Sequence, residues 1–263
     1  TGLGYFFTRK LNTYEKFLKF FVVLIVKFTI SLKNTLLVVE NKSDYLYFLK
    51  EVQIEKKKLT RINGAGADLK KFYYNEKLKK KIVLFPARVL LEKGIEEFIN
   101  ASKQLTLKYP KWKFLVAGTL KYNKGEKEKI YTNIKLIKKK HKNILFLGYV
   151  KNINSLFNAA SIVCLPSYRE GFPKALIEAC ASGCAVVATN VPGCKDAIKN
   201  NYNGLLCDVK NYSDTSRKVE KLILDEKKRK NFSRNSRKLA EKYYNLKLFV
   251  QKNLNFYESK KKR

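Results

Sequence analysis

Two glutamates stand at a spacing that suits the binding of a ligand. Glu170 and Glu178 lie eight positions apart, and Gly171, Phe172 and Pro173 follow the first of them. Proline suits the first position of a helix, because its missing N–H would have no partner there. A helix start offers unpaired N–H groups and the positive end of the helix dipole, which favour a phosphate. The pattern therefore predicts an anion site with two carboxylates beside it.

The predicted helix gives its residues different tasks. The free amides at its start belong to Phe172, Lys174 and Ala175, and these amides would face the anion. Glu178 comes about a turn and a half into the helix. Its carboxylate can accept hydrogen bonds from hydroxyl groups of a ligand that lies along the helix, while Glu170 stays in the preceding loop.

The surrounding sequence alternates between strands and helices. Apolar runs predict strands near residues 82–87, 113–117, 144–147, 161–165, 185–189 and 204–207. Helices are expected near residues 94–107, 125–140, 152–160, 173–182 and 193–200. This alternation predicts right-handed βαβ units in a doubly wound parallel sheet, which is an α/β fold. Open sheets of this kind bind ligands beyond the carboxyl ends of their strands, where the glutamate motif is expected.

Further segments accompany the glutamates in a fixed order. Residues 85–94 run from a strand through an arginine to a Lys-Gly pair, residues 63–72 contain two glycines, and residues 188–193 follow a later strand. Together these segments resemble the signature of the GT-B retaining glycosyltransferases of family 4. Residues 1–6 resemble a glycine-containing loop of the branch that builds O-antigen, capsule and lipid-linked oligosaccharides. The resemblance spans nearly the whole chain.

The resemblance implies a division into domains. Residues 1–70 would be the end of an N-terminal, acceptor-side Rossmann-like domain with the interdomain connection. Residues 71–240 would form the nucleotide-sugar-binding Rossmann-like domain, and residues 241–263 a helix that crosses back to the first domain, with a basic tail. The chain begins with Thr1 and contains no methionine. We therefore expect a fragment that lacks most of the first domain and is inactive alone.

Two cations are candidates for catalysis. In a metal-independent glycosyltransferase, fixed cations must stabilise the negative charge that builds on the diphosphate as the glycosidic bond breaks. The resemblance gives this role to Arg88, whose guanidinium can bind in bidentate fashion, and to Lys93, which acts as a point charge. The alternative is a surface salt bridge with Glu92 or Glu96.

The same resemblance assigns the remaining site residues. Glu178 would hold the ribose hydroxyls, and Glu170 would contact the donor sugar and steady positive charge at its anomeric centre. Gly171 would allow close approach of the backbone to the ligand. The nucleotide base of the donor is expected near two strand ends that contain glycine, at Gly118, Gly148, Tyr149 and Val150. The alternative for these glycines is simple packing. The alternative for Glu178 is a solvent-facing position on an ordinary helix. Lys174 departs from the smaller residues common in the family.

Composition limits the partners. The chain has 56 Lys and Arg against 22 Asp and Glu, a formal charge of +34, which suggests an anionic membrane surface or nucleic acid. Codon bias of an AT-rich genome is the competing explanation. No helix-turn-helix or zinc spacing is present, so specific nucleic-acid binding is not expected. Residues 13–32 predict a helix of the protein core or one that lies on a membrane.

Cysteine and histidine usage argues against metal chemistry. The five cysteines include no Cys-x-x-Cys pair, and His141 is the single histidine. These features predict reduced, buried cysteines of a cytosolic protein and no metal site.

The sequence therefore predicts a retaining glycosyltransferase without a cofactor. It would move a hexose or N-acetylhexosamine from a UDP-sugar to a lipid-linked or polysaccharide acceptor, in the cytoplasm and in peripheral contact with the inner face of the membrane. Two alternatives remain open at this point: a GT-B epimerase or phosphorylase, and a non-catalytic basic module that binds membranes or nucleic acid.

Overall fold

The computed structural model describes residues 12–119 and 134–261. It begins with helix α1 (Thr13–Ser31), whose first turn is closed by a capping box between Asn12 and Glu15. A small parallel sheet follows, with strands β1 (Leu37–Val39) and β2 (Leu59–Arg61). Between these strands lies helix α2 (Lys42–Leu46), which continues as a short π-helical turn.

A larger parallel sheet forms the centre of the described chain. Its strands are β3 (Lys80–Phe85), β4 (Lys113–Ala117), β5 (Ile144–Gly148), β6 (Ala160–Leu165), β7 (Ala185–Thr189) and β8 (Gly204–Cys207). Their order is β5-β4-β3-β6-β7-β8. Strands β3 to β5 follow one another toward one edge of the sheet and β6 to β8 toward the other, so the strand order reverses between β3 and β6. In doubly wound sheets the crevice for ligands lies at this reversal. The loops after β3 and β6 are therefore the loops that can form a site.

Helices cover both faces of this sheet. They are α3 (Ile95–Lys108), α4 (residues 134–140), α5 (Ile153–Ala159), α6 (Lys174–Ala181), α7 (Pro192–Ala197), α8 (Tyr212–Leu224), α9 (Glu226–Leu239) and α10 (Leu246–Lys261). The side chains of β6 and β7 are all buried, as expected for strands covered from two sides. The α/β parallel-sheet fold predicted from the sequence is confirmed.

Some boundaries differ from those predicted. Pro173 is the N-cap of α6, one position before the first helical residue that we expected it to occupy. Helix α7 ends at Ala197, before the predicted end at residue 200, because Ile198 is already extended. The first part of the helix predicted for residues 125–140 and the loop at residues 1–6 lie outside the described residues.

The smaller sheet has its own apolar cluster. Ile30 at the end of α1 joins residues of β1, β2 and the π-helical turn, and Val23 and Val26 pack against this cluster. The inner face of α1 is therefore packed in an apolar core. The outer face of α1 exposes a continuous apolar stripe: Tyr14, Phe17, Leu18, Phe21, Leu24, Ile25 and Phe28. Among the described helices, none is long and apolar enough to cross a membrane.

The loop before the large sheet is joined to the start of α10. Ala67 donates its N–H to Tyr244 O at 2.7 Å, and Leu246 donates its N–H to Ala67 O at 3.0 Å. A Cβ at Gly66 would clash with the backbone of Leu246, so this close contact requires glycine. The five cysteines are free and buried, and their burial is as predicted from the sequence.

Candidate functional site

A cleft of about 850 Å³ opens at the carboxyl ends of β3 and β6. Its lining includes most of the residues that the sequence singled out, namely Arg88, Lys93, Glu170, Gly171, Phe172, Pro173 and Lys174. These residues come from two loops about 80 positions apart in sequence. The structure therefore brings both expected cations together with the first expected acid.

The loop after β3 and the loop after β6 are packed tightly against each other. Gly94 has a φ of 74°, and a Cβ at this position would clash with the backbone carbonyl of Pro166. The N–H of Tyr168 donates to Glu92 O at 2.9 Å. Because both contacts involve backbone atoms, the two loops behave as one wall of the cleft.

A salt bridge joins the candidate cation to the candidate acid. Lys93 Nζ lies 2.8 Å from Glu170 Oε1, and the two side chains are 20% and 12% exposed. Lys93 is thus not paired with Glu92 or Glu96, which was the alternative considered above. Within residues 12–119 and 134–261, Arg88 is exposed and forms no ion pair, so its guanidinium is available to a ligand.

Tyr168 is held on the same wall by a buried carboxylate. Its hydroxyl donates to Glu97 Oε1 at 2.9 Å, and Glu97 is only 7% exposed. Burial, together with the hydrogen bond to Glu97, raises the pKa of Tyr168 well above its ordinary value, so the hydroxyl stays protonated. Lys210 Nζ lies 5.1 Å from the centre of the Tyr168 ring and also lines the cleft.

The start of α6 presents unpaired amides, as predicted. In the described chain, the N–H groups of Phe172, Lys174 and Ala175 donate no hydrogen bond, and the first helical bond is from Leu176 N to Pro173 O. Such a helix start favours a negatively charged group. A Cβ at residue 64 would clash with Cδ1 of the Phe172 ring, which explains the glycine at this position.

Glu178 lies beside the cleft without lining it. Its side chain is 13% exposed, and its Oε1 lies 3.6 Å from Lys174 Nζ. Burial raises the pKa of Glu178, and the neighbouring Lys174 ammonium opposes this effect. A solvent-facing position, the alternative considered from sequence, does not fit this burial.

Of the residues expected to surround the nucleotide base of the donor, only some lie together. Gly118 and Gly148 line a second cavity of about 360 Å³ next to the cleft. A Cβ at Gly118 would clash with the carbonyl of Ala87, so packing alone explains that glycine. Tyr149 is 77% exposed, and Val150 packs against the main core. Neither Tyr149 nor Val150 lines the cavity or the cleft.

Sequence reasoning missed several residues of the cleft. Arg169 directly precedes Glu170, and this adjacency to a predicted site residue could have identified it. Glu40 follows β1 and Lys210 follows β8, and both also line the cleft. A polar residue directly after a strand would have been the signal for Glu40. Across the described ranges, no group of three or more His, Cys, Asp or Glu side chains could hold a metal ion.

Residues 67–239 match the family model of the glycosyl transferases group 1. The chain therefore belongs to the glycosyl transferase group 1 family, in agreement with the resemblance seen in the sequence.

Two bacterial relatives illustrate the match. The chain is 32% identical over 225 residues to an N,N'-diacetylbacillosaminyl-diphospho-undecaprenol alpha-1,3-N-acetylgalactosaminyltransferase of Campylobacter jejuni, covering 80% of this chain and 57% of that protein. It is 30% identical over 186 residues to the capsular polysaccharide biosynthesis glycosyltransferase CapM of Staphylococcus aureus, covering 67% of this chain and 48% of the relative. The chain thus spans about half the length of these relatives.

Solved structures share the fold. The Anabaena Alr3699/HepE structure in complex with UDP superimposes with a TM-score of 0.75 at 18% identity, over 86% of this chain and 64% of the other. The C-terminal domain of a group 1 glycosyl transferase (LpcC) of Francisella tularensis is 30% identical with a TM-score of 0.62, covering 69% of this chain and all of that one.

Proposed function

We propose that the protein is a metal-independent, retaining glycosyltransferase that needs no cofactor. It transfers a hexose or N-acetylhexosamine from a UDP-sugar to a lipid-linked or polysaccharide acceptor. The observation that carries this proposal is the convergence of Arg88, Lys93 and the start of α6 on one cleft. The relative that acts on an undecaprenol-linked sugar and the neighbour that binds UDP support the donor and acceptor classes.

The cations and the helix start would bind the diphosphate. Arg88 offers a bidentate guanidinium, and the free amides of Lys174 and Ala175 offer aligned donors. As the bond to the sugar breaks, these fixed charges would stabilise the leaving nucleoside diphosphate.

The Lys93–Glu170 pair would respond to the donor. A diphosphate competes with Glu170 for the Lys93 ammonium, and Glu170 then has acceptor capacity for the sugar. Glu178 would accept hydrogen bonds from the ribose hydroxyls, for which a carboxylate shielded from water suits. The base would lie toward Gly118 and Gly148, in the neighbouring cavity.

Loss of Arg88 tests this proposal. We expect Arg88→Ala to weaken UDP binding roughly ten- to a hundredfold, because one charged hydrogen-bonding group is worth about 1.5–3 kcal/mol. Isothermal titration of UDP into the purified chain measures the change. Lys111→Ala removes an exposed cation just before β4, at the opposite end of the sheet, and should leave the affinity unchanged.

Two results would contradict the proposal. Equal affinities of the parent and Arg88→Ala would remove Arg88 from the site. UDP release that needs no glycan acceptor, or a product with the sugar still on the nucleotide, would favour an epimerase or phosphorylase instead.

We also propose that the protein works in the cytoplasm, in peripheral contact with the inner face of the membrane. The net charge of +34 supports attraction to anionic lipid. The exposed apolar stripe of α1, with Lys16 and Lys27 beside it, supports insertion at the lipid interface.

A further inference from the structure

Glu40 also lines the cleft, but it lies next to the smaller sheet and not in the segment that carries Glu170. It directly follows β1 of the smaller sheet, whereas Arg88, Lys93 and Lys174 come from segments that follow strands of the larger sheet. In the part of the chain that the structure describes, the Glu40 carboxylate has neither an ion pair nor a hydrogen bond. Glu40 is half-buried and lines the cleft, so its carboxylate can accept hydrogen bonds from a ligand bound there.

The residues after Glu40 are firmly fixed. Asn41 is buried and accepts a hydrogen bond from Asp44 N at 2.8 Å, which caps α2. The N–H of Lys42 donates to Asp196 Oδ2 of α7 at 2.6 Å. The end of β1 is thereby attached to the larger part of the molecule, and the position of Glu40 in the cleft is set by these contacts.

A second link joins the same segment to the glutamate loop. Burial lowers the pKa of Arg169, and the charge of the Asp44 carboxylate opposes this effect. Arg169 directly precedes Glu170 in the cleft wall. Glu40 and Glu170 thus line the same cleft, one from the smaller sheet and one from the larger.

We infer that Glu40 is a specificity residue that accepts hydrogen bonds from hydroxyl groups of the donor sugar. This inference rests on the proposed function. The cations of the cleft suit the diphosphate, and a carboxylate among them repels phosphate but accepts strongly from hydroxyls. Glu40 would therefore contact the sugar half of the donor, which UDP alone lacks.

The direction in which loss of Glu40 changes ligand affinity distinguishes a sugar contact from simple charge repulsion. Removal of a negative charge favours every anionic ligand, so a Glu40 without a sugar contact predicts equal or tighter binding of both UDP and UDP-sugar. A contact to the sugar predicts the opposite change for the UDP-sugar alone. The comparison of the two ligands thus isolates the contact.

The experiment compares three ligands by isothermal titration: UDP, UDP-N-acetylgalactosamine and UDP-glucose. For Glu40→Ala we expect at least one UDP-sugar to bind about tenfold more weakly, while UDP binds within twofold of the parent or tighter. Glu40→Gln, which keeps one acceptor oxygen, should lose less. Glu51→Ala is the matched control, because Glu51 is an exposed acid of the same segment outside the cleft.

The other outcomes are distinct. If UDP binds and Glu40→Ala leaves both UDP-sugars unchanged or tighter, the inference about Glu40 is wrong and the proposed function stands. If the parent chain binds neither UDP nor the UDP-sugars, the proposed function and the inference both fail.

Discussion

The contact between Lys93 and Glu170 joins two residues for which we propose different tasks. One suits the phosphates and the other suits the sugar, yet without a donor they neutralise each other at 2.8 Å. Partly buried charges are costly when single, so their pairing orients both side chains on the wall of the cleft. Under the proposed function, binding of the donor would exchange one charged partner of Lys93 for another.

Glu178 makes the stability of the protein depend on pH. Burial raises the pKa of its carboxyl above 4.5, so the folded state holds this proton more tightly than the unfolded state. The stabilisation is complete below the unfolded pKa and is lost as pH rises through the folded pKa. We expect the melting temperature of Glu178→Gln, relative to the parent, to increase with pH across this window.

Thermal unfolding followed by fluorescence between about pH 4 and pH 8 measures this difference. Glu96→Gln changes an exposed acid and serves as the control, with a flat difference expected. A flat difference for Glu178→Gln as well would show that burial does not perturb its ionisation.

Among the elements, the loops after β3 and β6 decide the shape of the site. Both Gly94 and Gly148 have a positive φ, of 74° and 65°, so alanine at either position is strained by about 1–2 kcal/mol. Only at Gly94 would the new Cβ also clash with a neighbouring backbone, that of Pro166. The cost there includes separation of the two loops.

We expect Gly94→Ala to destabilise the protein by about 1–3 kcal/mol more than Gly148→Ala, as is typical of overpacking. Urea denaturation measures both losses. Because Gly94 precedes α3 and directly follows Lys93, the variant should also weaken UDP binding. Equal losses of stability in the two variants would mean that the loops are not closely packed.

For the whole molecule, the charge and the apolar stripe of α1 predict binding to membranes. We expect the chain to sediment with vesicles rich in anionic lipid, less so as salt rises, and not with purely zwitterionic vesicles. Phe17→Ser with Phe28→Ser should weaken the binding about tenfold or more, since two exposed aromatic side chains are removed from the interface.

Leu107→Ser is the control, because Leu107 is at least as exposed as the two phenylalanines but lies on α3, away from the stripe. If the double variant and the control bind vesicles equally, charge alone drives the attraction and α1 does not insert. If the parent binds neutral and anionic vesicles equally, the prediction that its positive charge attracts it to anionic lipid is wrong.

Prediction from sequence was most accurate where neighbouring residues determine the structure. The predicted strand at 113–117 matches β4, and the strand at 185–189 matches β7, because an unbroken apolar run is a local signal. The buried state of the cysteines followed from the same runs. The helix start at Pro173 was one residue off, since cap positions depend on backbone angles rather than on residue type.

The sequence alone determined the α/β class, the family signature and the loops that carry Arg88 and Glu170, because each depends on residue types within a short stretch. Tertiary structure decided which of these residues meet. It paired Lys93 with Glu170, left Glu178 beside the cleft, and brought Glu40 from the smaller sheet to the same cleft. Such contacts join positions far apart in the chain, and they arise from the packing of loops at the reversal between β3 and β6, which no local pattern encodes.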